Sequence, residues 1–120
     1  MTWSRELYER EPPVPPEEYI RVGHSELKGF VTDIFKASGL SPEDAEIVSD
    51  VLVTADLMGI SSHGVQRVRR YVDGVVRCCV NPRPNIHVVR DGGAVALVDA
   101  DSGLGHIAGV KAMELALKKA

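Results

Sequence analysis

The chain has 120 residues, of which 44% are hydrophobic, 26% charged and only 5% aromatic. That is the usage of one small soluble domain whose core is built mainly from Val, Leu, Ile and Ala. Its formal net charge of −3 argues against a broad nucleic-acid footprint, which needs clustered positive charge. No apolar run approaches the ~20 residues that cross a bilayer. The start, MTWSRELYEREPPVPPEEY, lacks both the apolar core of a secretory signal and the Arg-rich, acid-poor make-up of a transit peptide. The expectation is a cytoplasmic protein that binds neither nucleic acid nor membrane.

Residues 1–18 are rich in Glu and contain Pro12, Pro13, Pro15 and Pro16. Proline fixes φ and removes donors, so this stretch reads as an extended or disordered extension, and less readily as a Pro-rich ligand for a partner domain. Tyr19-Ile20-Arg21-Val22 reads as a short strand. Leu27, Phe30, Val31, Ile34 and Phe35 recur at three- and four-residue steps, which predicts a helix ending near Gly39. Ser41-Pro42-Glu43-Asp44 is a helix start: Ser caps, Pro fits the first turn, and the acids meet the positive helix end. Ala45, Val48, Leu52 and Ala55 predict one buried side, with Ile47, Val51 and Met58 beside them and a stop at Gly59. A third helix is predicted over about 63–77, closed by Asn81-Pro82 and Pro84. Ile86–Arg90 and Ala94–Asp99, separated by Asp91-Gly92-Gly93, predict a β-hairpin. A last helix follows near 106–120, with Ile107, Val110, Met113, Leu115, Ala116 and Leu117 on its apolar side. It reaches Lys118-Lys119-Ala120 without a capping residue, so the expectation is an incomplete chain.

The chemistry is sought in Ser62-His63-Gly64-Val65-Gln66-Arg67-Val68-Arg69-Arg70-Tyr71. On a continuous helix with His63 at zero, Arg67 lies about 40° to one side, Arg70 about 20° to the other, and Tyr71 at about 80°. Val65, Val68, Val72, Val75 and Val76 take the opposite half. Such a helix presents an imidazole and a guanidinium together. A guanidinium grips a carboxylate with two parallel hydrogen bonds, and an imidazole can exchange the proton of a neighbouring hydroxyl. The pattern suits a 2-hydroxy-acid or 2-oxo-acid site, although a plain solvated helix face shows the same polar residues.

Other candidates carry less. Gly103-Leu104-Gly105-His106-Ile107-Ala108-Gly109 opens a helix after a strand, but its spacing is G-x-G-x-x-x-G and a hairpin precedes it. Close backbone packing explains those glycines as well as a dinucleotide loop does. His106 reads as a helix-start residue or as one facing a ligand. His24 reads as a cap-region residue, and His87 lies in a strand. Cys78 and Cys79 are adjacent and form no disulfide framework. No His, Cys or carboxylate set has metal-ligand spacing, so no metal is expected.

Taken together, Ser62-His63-Gly64-Val65-x-Arg67-x-x-x-Tyr71, Asn81-Pro82, Val98–His106 and Ala112–Ala116 resemble the type-2 malate/L-lactate dehydrogenase family from about Val22 to Ala120. That family includes ureidoglycolate, sulfolactate and diketogulonate enzymes and a cyclic-imine reductase. The resemblance implies an oxidoreductase that uses NAD or NADP to interconvert a small 2-hydroxy acid and its 2-oxo acid. It implies an α/β protein, α+β in this portion, whose nucleotide-binding fold is not Rossmann, and a homodimer in the full-length form. His63 would be the catalytic acid/base and Arg67 the carboxylate anchor, with Tyr71 in the same substrate site. The domains would be a Pro/Glu-rich extension at 1–18, a helical amino-terminal region at 19–80, and the start of the nucleotide-binding domain at 81–120. Family chains are longer, with a further His-containing motif and the main cofactor-binding segments beyond this sequence. Cys78-Cys79 departs from the glycine and lysine common there. A non-catalytic truncated module that pairs with a full-length subunit, and a free-standing Rossmann-like binding protein, are the competing readings.

Overall fold

The structure is a computed structural model that describes residues 20–120. The expected extension at 1–18 and Tyr19 lie outside the described residues. Among the described residues, four α-helices and one hairpin follow in order: α1 (His24–Ala37), α2 (Pro42–Leu57), α3 (Val68–Val76), β1 (His87–Asp91), β2 (Ala96–Asp99) and α4 (Gly105–Lys119). This is an α+β arrangement. Among the described residues, no helix is long and apolar enough to cross a membrane.

The strand expected at Tyr19–Val22 does not form over Ile20–Val22, which are irregular and exposed. Among the described residues the sheet has two strands, β1 and β2, and neither pairs with this segment to reward an extended conformation.

α1 and α2 begin and end where their local chemistry dictates. Gly39 takes φ +111 and turns the chain out of α1. The Ser41 hydroxyl accepts the Asp44 amide at 3.1 Å and donates to the Asp44 carboxylate at 2.8 Å, fixing the start of α2. Gly59, at φ +74, follows its end. Val31 and Phe35 of α1 pack with Ala45, Val48 and Leu52 of α2, and Leu104 and Ile107 from the start of α4 complete the same core with Leu40 and Val75. Burying a side chain such as Phe35 or Leu52 contributes about 1.5–3 kcal/mol. Several residues expected on or beside apolar faces are instead exposed, among them Phe30, Val51, Met58, Val76, Met113 and Leu117. Phe30 lies about 100° around the axis from Val31, off the face that meets α2.

Two loops are clamped together beneath α4. The Asp101 carboxylate accepts Asn81 Nδ2 at 3.0 Å and the Asn85 amide at 2.8 Å, and the Asn81 amide donates to the Ser102 carbonyl at 2.9 Å. Asp101 and Ser102 hold left-handed backbone, with φ of 47 and 55. A Cβ on Gly103 would come within 2.7 Å of the Pro84 side chain and 3.0 Å of the Ala100 carbonyl. The hairpin is antiparallel with His87 opposite Asp99, and Val89 forms a bulge between the Val88–Val98 and Arg90–Leu97 pairs.

Candidate functional site

The third helix does not run from residue 63. Residues Ser61–His63 and Val65–Arg67 form two single 3-10 turns, and α3 starts only at Val68. Gly64 separates the turns with φ −89 and ψ −154, an extended conformation. Asp56, near the end of α2, causes this break. Its carboxylate accepts the Val65 amide at 2.9 Å, and a Cβ on Gly64 would fall within that same carboxylate. The glycine admits the acid, and the acid caps the second turn. Asp56 lies nine residues upstream of the amide it binds. The pairing of an acid near the end of α2 with a Ser-His-Gly turn is its only trace in the sequence.

The break replaces the helical wheel with a local hub at Ser62. Its hydroxyl lies 3.0 Å from His63 Nδ1, and its carbonyl accepts Arg67 Nε at 2.6 Å. One residue thereby contacts both the imidazole and the guanidinium. Gln66 Nε2 also donates to the Ser61 carbonyl at 2.5 Å, bracing the same turn. His63 borders a shallow cavity of about 540 Å³ with Val51, Ala55, Met58 and Ile60, and Arg67 is not among its lining residues. A larger depression, about 840 Å³, lies along α1 and α2 beside His24, Lys28 and Asp50. Lys28 pairs there with Asp50 at 2.7 Å, and the depression holds neither His63 nor Arg67, so it is a salt-bridged seam away from this chemistry.

Tyr71 and Arg70 part from His63. Tyr71 is half-buried against the core and meets the His106 ring edge-on, with centroids 4.9 Å apart and planes at 85°. Arg70 faces outward with Gln66, Asp73 and Arg77. His106 Nδ1 is buried without a hydrogen-bond partner among the described residues, and burial pushes the ring below its ordinary pKa, favouring the neutral form. His87 Nδ1 lies 2.8 Å from the Asn85 carbonyl, and His24 Nε2 lies 3.2 Å from the Ser25 hydroxyl. Cys78 and Cys79 are exposed free thiols.

Comparisons with known proteins agree on one family. A profile described as malate/L-lactate dehydrogenase matches residues 22–120. The malate dehydrogenase of Pyrococcus horikoshii is 50% identical over 104 residues, spanning 87% of this chain and 29% of that protein. The L-sulfolactate dehydrogenase of Methanocaldococcus jannaschii is 45% identical over 93 residues, spanning 78% of this chain and 27% of that protein. The solved structure of the P. horikoshii malate dehydrogenase superposes with a TM-score of 0.85 at 48% identity, covering 91% of this chain and 31% of that one. The chain therefore spans less than a third of the length of the relatives it matches.

Proposed function

This chain belongs to the malate/L-lactate dehydrogenase family, and from that membership we propose that it forms the amino-terminal part of an oxidoreductase interconverting a small 2-hydroxy acid and its 2-oxo acid. The observation that carries this reading is the Ser62 hub, which joins an imidazole and a guanidinium in one turn. With Nε on the Ser62 carbonyl, Arg67 keeps its two terminal nitrogens for the acid's carboxylate. In the tautomer whose Nδ1–H donates to the Ser62 hydroxyl, His63 has Nε2 bare to take the hydroxyl proton during oxidation and return it during reduction. Tyr71, one turn beyond Arg67, supports the same site through its packing.

The hydride carrier in this reading is NAD or NADP. The described residues do not themselves fit a dinucleotide cradle: the space beside Gly103 is taken by Pro84 and the Ala100 carbonyl, and the preceding strands form an antiparallel hairpin. That supports a nucleotide-binding fold other than Rossmann, beginning at 81–120 after a helical region at 19–80 and an extension at 1–18. The cradle then falls to sequence present in the longer relatives, and the working form is a cytoplasmic homodimer.

The test is steady-state kinetics on the full-length protein containing this chain, with a panel of 2-oxo acids and both nicotinamides. His63→Ala should lower kcat by about 10²–10⁴-fold. Arg67→Ala should chiefly raise KM for the acid. Near-normal constants in both variants remove these residues from the mechanism.

A further inference from the structure

α3 and the turn before it send a row of guanidiniums away from the proposed site. Gln66, Arg70, Asp73 and Arg77 recur at the three- and four-residue steps of one helix face, with Arg69 beside them. All five are exposed, and together they wall a surface groove of about 470 Å³. Four lysines, Lys28, Lys36, Lys111 and Lys119, make ion pairs, whereas Arg69, Arg70 and Arg77 make none among the described residues. The groove thus carries three guanidiniums against the single carboxylate of Asp73.

The complementary charge lies elsewhere in the same chain. Residues 20–120 hold twelve basic and twelve acidic side chains. Residues 1–18 hold Glu6, Glu9, Glu11, Glu17 and Glu18 against Arg5 and Arg10, so the whole formal charge of −3 belongs to the leading segment. We propose that the α3 groove is the docking surface for this Glu-rich segment, whose carboxylates pair with Arg69, Arg70 and Arg77.

Spacing and tethering support the match. Seven residues of helix put Arg70 and Arg77 about 10 Å apart along the axis. Three residues of extended chain put Glu6 and Glu9 about 10 Å apart as well. Eighteen extended residues reach up to about 60 Å, ample to cross a small domain. The covalent tether gives the segment an effective concentration near the millimolar range, above that of a second copy in dilute solution. Each exposed pair is weak, so docking rests on several pairs together and is sensitive to salt.

The experiment compares the full chain with a variant in which Glu6, Glu9, Glu11, Glu17 and Glu18 are all changed to Gln. The readout is the NMR resonances of the Arg69, Arg70 and Arg77 Nε–H groups. In dilute buffer the three resonances should differ between the two proteins, and they should converge at about 0.5 M salt, where the Debye length falls to a few ångströms. A second variant, Arg70→Glu with Arg77→Glu, should shift the backbone amides of residues 6–18 while leaving those of Val48 and Leu52 in place, which separates lost docking from lost folding. Superimposable low-salt spectra overturn the proposal. So does a difference that grows with protein concentration, which assigns the groove to the segment of another copy. Shifts produced by inorganic phosphate but not by the Glu→Gln changes assign it to small anions and overturn the proposal too.

Discussion

α2 and β1 stand at opposite ends of a burial scale. α2 holds Ala45, Val48, Ser49 and Leu52 at zero exposure, whereas every residue of β1 is exposed. Both segments are rich in aliphatic side chains. What separates them is the number of elements that converge on each. α2 receives α1 along one flank and the start of α4 along another, and Lys111 of α4 lies 3.9 Å from its Asp44. β1 has β2 alongside it, plus a tether from Lys119, which donates to Asp91 at 2.5 Å and to the Gly93 carbonyl at 2.9 Å. Val88, Val89, Val95 and Leu97 stay on the surface. A two-stranded hairpin is marginal by itself, so its order here rests on backbone pairing and that tether more than on a core.

Substitutions can break or sharpen this contrast. The largest expected effect is Leu52→Ala, which empties the centre of the shared core and should cost about 2–5 kcal/mol in urea unfolding. An equal loss from a hairpin valine would erase the distinction between the two regions. Gly64→Ala comes next. Its new methyl cannot coexist with the Asp56 carboxylate, and the rearrangement should cost about 1–3 kcal/mol. In the full-length protein it should also depress turnover, because His63 and Arg67 flank the displaced turn. An active Gly64→Ala variant with unchanged constants would show that the break before α3 has no bearing on the chemistry.

A smaller effect concerns pH and the join between α3 and α4. Burial holds His106 below its ordinary 6.5, so the folded chain binds fewer protons than the unfolded chain just under that value. The stability due to this group is complete above pH 6.5 and is lost as the pH falls through the lower, folded value. His106→Phe keeps a ring against Tyr71 and removes the titration, so denaturation curves between pH 7.5 and 5 should fall less steeply than those of the parent. Parallel slopes would dissociate His106 from the pH response. The smallest effect is Val89→Thr on the exposed bulge, expected to stay within about 0.5 kcal/mol.

The end of α1 and the bounds of α2 were readable because their determinants are local. Ser41, Pro42, Gly39 and Gly59 act within a few residues of the termini they define, and a period near 3.6 marks the buried stripe. The hairpin was readable for the same reason, from Asp91-Gly92-Gly93 between two aliphatic runs. The Val89 bulge was not, because it depends on pairing with β2.

The candidate site divides along the same line. The pair proposed for the chemistry, an imidazole and a guanidinium four residues apart, was a property of the sequence, as was membership of a family matched over residues 22–120. How they meet was decided only by the tertiary structure. Periodicity reads straight through Gly64, since a carboxylate arriving from the end of another helix leaves no mark on the spacing of apolar residues. That contact with Asp56 broke the expected helix and made Ser62 the link between His63 and Arg67, while Tyr71 meets the His106 ring.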